Sequence, residues 1–195
     1  CPRSTLGCKI MSLRPVHRAE RFVRSVFSVA PAPEKVEWAS SFLTEPEQRL
    51  FLRMHSVDQS HSIAVARAVA AHLDQVGLEE SDPDARWLIA AALLHDVGKS
   101  VSGLGTYGRV VATVSEALGG SEMGAHWAER SGMTRKVGLY MQYPQLGADL
   151  LALAESDERV VAWALEHHLP QEQWTLDKNC ALLLQQADDG RLAKT

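Results

Sequence analysis

Apolar side chains recur along most of this chain at intervals of three and four residues, which is the spacing of one face of an α-helix. One such stripe begins at His61 and continues through Val65, Val69 and Leu73. Residues typical of helix ends separate the stripes, among them the capping box Thr44-Glu45-Pro46-Glu47. No segment alternates apolar and polar side chains over the length of a strand. The pattern predicts an all-α protein.

The ends of the predicted helices follow from capping residues, glycine and proline. Asp58 begins a helix that ends at Gly77, and Asp82-Pro83 begins one that runs into His95-Asp96. The glycine-rich segment 100–107 is predicted to be a loop. The remaining helices are predicted from Thr44 through Met54 and over 108–118, 121–131, 134–142, Pro144–Leu153, Asp157–His168 and 177–189.

The N-terminal region is predicted to be separate from the folded domain. Apolar positions at 17–29 indicate a short amphipathic helix with basic neighbours, which Ala30-Pro31-Ala32-Pro33 breaks. We therefore predict an N-terminal arm and Pro/Ala linker over residues 1–33 and one domain over residues 34–195. Met11 could be the natural start, in which case residues 1–10 are not native.

Charge and composition limit the partners of the chain. The 195 residues carry a net charge of −4, but residues 1–30 hold six basic residues and one acidic residue, whereas the rest holds 14 basic and 23 acidic residues. A body this acidic argues against nucleic acid as a partner. No apolar run reaches the roughly 20 residues of a membrane span. Three cysteines without a pairing pattern indicate a reducing cytoplasm. The oligomeric state is not predicted.

A histidine and an aspartate stand side by side at the end of the apolar pattern Trp87–Leu94. Neighbouring side chains on a helix point about 100° apart. His95 and Asp96 can therefore meet only where the backbone bends, and Gly98 is the predicted bend. An imidazole beside a carboxylate is a typical ligand pair for a divalent metal, and Lys99 nearby indicates an anionic substrate. The alternative is a polar end of an ordinary helix.

Two further polar residues lie on apolar helical faces. His61 leads its apolar stripe, although a buried structural histidine would fit there as well. Asp188 ends an apolar helix, where its charge faces the negative end of the helix dipole, and a cation would relieve that cost. A solvated helix end is the alternative, and Asp189 is the alternative ligand in the neighbouring position.

In this order, His61, His95-Asp96 and Asp188 resemble the HD-domain metal-dependent phosphohydrolases over about residues 45–190. The segment His95-Asp96-Val97-Gly98-Lys99 matches the form of the HDIG subgroup. The resemblance implies an HD-domain-like helical bundle with a short N-terminal arm. It also implies one divalent ion, for which Mn, Fe, Mg, Zn, Co and Ni are not distinguishable, held by His61, His95, Asp96 and Asp188.

The resemblance further implies that the bound ion lowers the pKa of the water that attacks phosphorus. Asp96 and Lys99 are the catalytic residues that it implies: Asp96 orients the water, and Lys99 stabilises charge on the phosphoryl group. The expected substrate is a phosphomonoester or phosphodiester of a nucleotide or another small phosphorylated metabolite.

Some members of this family bind additional metals through a histidine before Pro-x-x-Gly-Ala and a later His-His pair. This chain has Pro144–Ala148 and the pair His167-His168, but Tyr143 stands where that histidine is expected. Neutral tyrosine is a poor metal ligand. The three residues Tyr143, His167 and His168 therefore form a candidate second metal or substrate site, and one metal per chain is predicted.

Three branches of the family fit less well. The Gly-Tyr-Pro of the cyclic-dinucleotide hydrolases is replaced after the His-His pair by Leu169-Pro170-Gln171. The Glu-Asp pair of the guanosine-tetraphosphate hydrolases does not occur in residues 100–120. The oxygenases need a complete two-iron site, which Tyr143 disfavours. A different function also remains open, namely a non-catalytic regulatory module of HD type that binds a nucleotide or a partner.

Overall fold

The regular secondary structure is helical, and the described residues contain no strand. These residues are 30–104, 124 and 126–192 of a computed structural model. The all-α prediction is therefore confirmed. The helices are α1 (Pro33–Ser41), α2 (Glu45–Leu52), α3 (Ser56–Ala70), α4 (Ala85–Leu94), α5 (Gly132–Met141), α6 (Tyr143–Leu153), α7 (Glu158–Glu166) and α8 (Lys178–Asp188). Short 3-10 turns cover Leu73–Val76, Val97–Ser102 and Gln171–Gln173.

Some predicted elements lie wholly or partly outside the described residues. These are the helix at 17–29, the helix at 108–118 and residues 121–123 and 125 of the helix at 121–131, of which 124 and 126–128 are described and are helical. Of the predicted arm and linker, only residues 30–33 are described. The division of the chain at residue 33 stays a prediction.

Side-chain hydrogen bonds cap the starts of three helices, as predicted for Thr44 and Asp157. At the start of α2, the backbone N–H of Thr44 donates to the carboxylate of Glu47 over 2.8 Å, as a capping box requires. Asp157 accepts from the backbone N–H of Arg159 at the start of α7. Asp177 accepts from the N–H groups of Asn179 and Cys180 at the start of α8.

Four predicted boundaries were wrong. Helix α3 begins at Ser56, with Asp58 inside its first turn, and it ends at Ala70 rather than at Gly77. It ends early because the side-chain Nδ1–H of His72 donates to the carbonyl of Ala68 and competes with the next helical hydrogen bond. Gly77, with a φ of 73°, ends the following 3-10 turn instead.

The other two wrong boundaries lie on either side of the His-Asp pair. Helix α4 begins at Ala85, because the Asp82 carboxylate accepts from the N–H of Glu79 and closes a turn before the helix. The predicted loop at 100–107 begins later than expected, since the 3-10 turn extends through Ser102.

Helix α4 forms the centre of the hydrophobic core. Nine of its ten residues are buried, and Arg86 is the exposed one. It packs against α3, α7 and α8, which together surround it with apolar side chains. The chain leaves this helix directly into His95 and Asp96, so both side chains start in the interior of the bundle. Among the described residues, no helix has both the length and the apolar character needed to cross a bilayer.

Candidate metal centre

His95 and Asp96 meet because helix α4 ends immediately before them. His95 keeps helical dihedrals, whereas Asp96 has φ −100° and ψ 7° and leads into the 3-10 turn. As a result, His95 Nε2 lies 3.4 Å from Asp96 Oδ2. The two side chains converge as the sequence predicted, but the backbone turns at Asp96 and not at Gly98.

Gly98 has a different role from the predicted one. The φ angle of Gly98 is not positive, so its backbone is not in the left-handed region. A Cβ atom at this position would lie 1.9 Å from the carbonyl oxygen of Tyr143 and 2.6 Å from the backbone nitrogen of Gly147. Glycine is therefore required here by the close approach of α6, which is the helix that carries Tyr143.

Three helices bring four predicted ligands together. His61 on α3 lies with its Nε2 2.9 Å from Oδ1 of Asp188, the last residue of α8. The same carboxylate oxygen is 3.6 Å from Nε2 of His95. One ligand atom each from His61, His95 and Asp96 lies within 4.8 Å of the other two, an arrangement that could hold a metal ion.

The neighbouring acid, Asp189, does not join this cluster. Its carboxylate pairs with the guanidinium of Arg191 at the surface. Asp188 is therefore the acid that the fold places against His61 and His95.

The donor chemistry of His95 fits a bound cation. Its Nδ1–H donates to the carbonyl of Ala92 over 2.9 Å, so Nε2 is the ring nitrogen that is left to bind a proton or a metal ion. His95 is 2% exposed, and its Nε2 makes no hydrogen bond to any residue that the structure describes. An orphaned acceptor beside two carboxylates is costly unless a positive species binds there.

The pKa shifts of His95 and Asp96 also favour a bound cation. Burial alone lowers the pKa of His95, but the carboxylates of Asp96 and Asp188 outweigh it and raise this pKa to about 10. Burial alone raises the pKa of Asp96, but Lys99 and His95 hold it well below its ordinary value. The pocket thus favours a positive charge at His95 Nε2. This is the atom to which a metal ion would bind in place of a proton.

Lys99 contacts the same aspartate. Its Nζ lies 2.5 Å from Asp96 Oδ2 and 4.8 Å from the ring centroid of Tyr143. Burial would lower the pKa of Lys99, but Asp96, Tyr140 and Asp58 together raise it, so the ammonium stays charged. The side chain is 18% exposed, which leaves it at the edge of the centre.

The candidate second site lies next to the first. His167 Nε2 is 3.8 Å from Asp96 Oδ1 and 3.3 Å from the hydroxyl of Tyr143, which also contacts Nε2 of His168. His167 is buried and His168 is exposed. Burial and the positive charge of His95 lower the pKa of His167 to about 4, so its ring is neutral.

The hydrogen-bond directions in this group follow from that neutral ring. The Nδ1–H of His167 donates to the carbonyl of Ala164 over 3.0 Å, so its Nε2 accepts from the hydroxyl of Tyr143. The tyrosine oxygen then accepts from Nε2–H of His168. The hydroxyl of Tyr143 therefore already satisfies the two nitrogen atoms that a second ion would need.

The family model of the HD domain matches residues 59–189. The chain belongs to the HD domain family. No curated protein and no solved structure matches the chain.

The matched residues of this HD domain contain every predicted site residue, from His61 to Asp188. HD domains bind divalent metals and are in general metal-dependent hydrolases. The HDIG subgroup stays a prediction that rests on the segment His95–Lys99.

Sequence reasoning missed two acids near the centre of this HD domain. Asp58 precedes His61 by three residues on α3, a spacing that places both on one helical face and could have identified it. Glu166 directly precedes His167, and its carboxylate accepts from the N–H of Thr175 over 2.8 Å and from its hydroxyl over 2.6 Å. The indole N–H of Trp174 donates to the Glu166 carbonyl, so the turn bearing the two histidines is tied to the segment before α8.

Proposed function

We propose that this HD domain is a metal-dependent phosphohydrolase that cleaves a phosphomonoester or phosphodiester of a nucleotide or another small phosphorylated metabolite. One observation carries the proposal. The ligand atoms of His61, His95 and Asp96 converge within 4.8 Å, and the buried Nε2 of His95 has no hydrogen bond from the described residues. Two imidazoles and a carboxylate in a buried site are a donor set that suits a divalent cation.

We assign the ion to His61, His95, Asp96 and Asp188. Two imidazoles and two carboxylates are acceptable to Mn, Fe, Mg, Zn, Co and Ni, so the ion is not specified by its ligands. When bound, a divalent ion supplies a water of lowered pKa and neutralises charge on a phosphoryl group.

The chain itself would orient the reactants. Asp96 is fixed on one side by Lys99, which contacts Oδ2, and faces His167 with Oδ1 on the other. This orientation suits Asp96 to direct the attacking water. The ammonium of Lys99, at the edge of the centre, could bind a phosphoryl oxygen of the substrate and stabilise its charge in the transition state. His168, which is exposed and contacts the hydroxyl of Tyr143, could contact the substrate.

One metal per chain is part of the proposal. The hydroxyl of Tyr143 contacts the Nε2 atoms of both His167 and His168, which are the atoms that a second ion would need. A phenol ionises near pH 10 and is a weak ligand when neutral. The group Tyr143, His167 and His168 then serves as a wall of the substrate site.

The decisive experiment combines metal analysis with a substrate panel. Chelator-treated protein is reloaded with each of the six metals and assayed against phosphomonoesters and phosphodiesters of nucleotides and sugars. We expect hydrolysis that needs metal and is lost in His95→Ala and Asp96→Ala, with the helical circular dichroism retained. His126→Ala is the matched control, because His126 is exposed and bonds only Arg130 among the contacts seen for its ring.

The same experiment separates the alternative function. A metal-loaded protein that hydrolyses none of these esters contradicts the proposal. If the protein instead binds none of the six metals, but a nucleotide raises its melting temperature, the non-catalytic regulatory module is the better description.

A further inference from the structure

The aromatic ring of Tyr143 lies against Lys99, whereas its hydroxyl contacts the two histidines. Lys99 Nζ is 4.8 Å from the centroid of this ring, within the distance of about 6 Å over which a cation–π attraction acts. Tyr143 is 8% exposed and the side chain of Lys99 is 18% exposed, so little water screens the contact. The ring therefore attracts the ammonium independently of what the hydroxyl binds.

The main chain holds the two partners at this distance. Lys99 follows Gly98 in the 3-10 turn Val97–Ser102, and Tyr143 is the first residue of α6. The turn and the start of α6 approach so closely that a Cβ atom on Gly98 would lie 1.9 Å from the carbonyl oxygen of Tyr143. Because both side chains start from this contact, the fold fixes the ring beside the backbone of the lysine.

The ammonium of Lys99 has two attachments, and a divalent ion would affect them differently. Its contact with Asp96 Oδ2, at 2.5 Å, depends on the negative charge of that carboxylate. An ion on Asp96 would compete for the same charge and would repel the ammonium. The ring of Tyr143 carries no net charge and its face is not a ligand for a divalent ion, so its attraction for the ammonium persists. In a centre that holds an ion, the ring is the attachment that remains.

We propose that Tyr143 is a positioning residue whose ring holds the ammonium of Lys99 in place to bind a phosphoryl oxygen when a divalent ion occupies the centre. A side chain that is already held loses less conformational freedom on binding, and this raises affinity. The proposal rests on the proposed function only for the assignment of Lys99 to a phosphoryl group. It does not require that any ester is hydrolysed.

The test is a double-mutant cycle on the full chain loaded with Mn²⁺, in which titration calorimetry measures the affinity for inorganic phosphate. Tyr143→Phe keeps the ring and Tyr143→Leu removes it, while both lack the hydroxyl, so comparing these two variants isolates the ring. We expect phosphate to bind about 5-fold more weakly to Tyr143→Leu than to Tyr143→Phe, which is the size of a partly desolvated cation–π contact. In the Lys99→Met background, the two variants should differ by less than about 2-fold.

The controls separate this effect from packing and from loss of the ion. A packing defect at Tyr143→Leu would weaken phosphate binding equally in both Lys99 backgrounds and would cancel from the cycle. Trp38→Leu removes the ring over which Arg67 lies at 3.6 Å, a cation–π contact on α1, and should leave the phosphate affinity unchanged. Circular dichroism shows whether each variant is folded, and a prior Mn²⁺ titration shows whether it is loaded. If Tyr143→Leu does not fold, Tyr143→Met takes its place, because the flexible methionine side chain fills irregular spaces.

Three results would overturn the proposal. Equal phosphate affinities of Tyr143→Phe and Tyr143→Leu, in folded and loaded protein, would mean that the ring does not act on Lys99. The same 5-fold difference in the Lys99→Met background would mean that the ring acts through packing or on the phosphate itself. A natural protein that takes up no Mn²⁺, or that binds no phosphate when loaded, would leave Lys99 no phosphoryl group to bind. Coupled phosphate binding without hydrolysis of any ester would instead contradict the phosphohydrolase and leave the role of Tyr143 intact.

Discussion

His61 Nε2 lies 2.9 Å from Asp188 Oδ1, although 127 positions separate the two residues in the chain. The contact exists because α8 packs against both α3 and α4, which brings the last residue of α8 to the start of the His61 stripe. Asp188 thereby places its charge at the negative end of its own helix, an unfavourable position unless a cation is near.

The first prediction compares the two neighbouring acids at that helix end. Asp188→Asn should weaken Mn²⁺ binding at least about 10-fold, because it removes a carboxylate that contacts both histidines. Asp189→Asn should change it less than about 2-fold, since Asp189 pairs with Arg191 at the surface. Titration calorimetry of the two variants checks this. Equal losses of Mn²⁺ affinity in the two variants would contradict the assignment of Asp188 as the ligand.

The second prediction concerns the close packing of Gly98. A methyl group there would overlap the backbone of Tyr143 and Gly147, so Gly98→Ala should destabilise the fold by about 2–3 kcal/mol. Gly147→Ala should cost less, because its Cβ would come no closer than 3.1 Å, to the backbone nitrogen of Gly98. Urea unfolding of both variants measures the difference. The reverse order would contradict the packing described for α6.

The third prediction tests the contact of Tyr143 with the two histidines. Tyr143→His replaces a weak ligand with imidazole and removes the hydroxyl that satisfies His167 and His168, so the metal content should rise toward two ions per chain. Tyr143→Phe removes the same hydroxyl without adding a ligand and should stay near one. Elemental analysis of the purified variants decides the matter. Two ions in the natural protein would show that Tyr143 does not prevent a second site.

The fourth prediction is a pH dependence at Cys180, away from the metal centre. Burial and the neighbouring Asp177 raise the pKa of this thiol to about 11 from an ordinary value of 9.0. Alkylation proceeds through the thiolate, so at pH 9 the folded protein should react at Cys180 at least about 10-fold more slowly than the urea-unfolded protein. The rate in the folded state should rise as the pH approaches 11. Peptide mass spectrometry follows this residue separately from the other cysteines, and equal rates in both states would contradict the shift.

Local sequence signals identified much of the fold and all four proposed ligands. Capping residues such as Thr44 and Asp157 mark helix starts because their hydrogen bonds span only two or three residues. Helical periodicity placed His61 on an inward face, and the end of an apolar run placed His95-Asp96 and Asp188. Each of these features depends on a few neighbouring residues, so it can be predicted from the sequence.

The features that were missed depend on contacts between distant segments. The role of Gly98 arises from the approach of α6, and no neighbour in the sequence encodes that distance. The early end of α3 is a local exception, because His72 competes for the carbonyl of Ala68, which lies only four positions before it.

Helix α4 exposes only Arg86 and delivers His95 and Asp96 from its C-terminal end. Segments without solvent-facing residues open only when the whole domain unfolds. The amide of His95, which donates to the Ala91 carbonyl, should therefore exchange its hydrogen for deuterium at the rate of global unfolding. An ion would enter and leave this centre past the partly exposed side of His61, without any local melting of the helix that supports it.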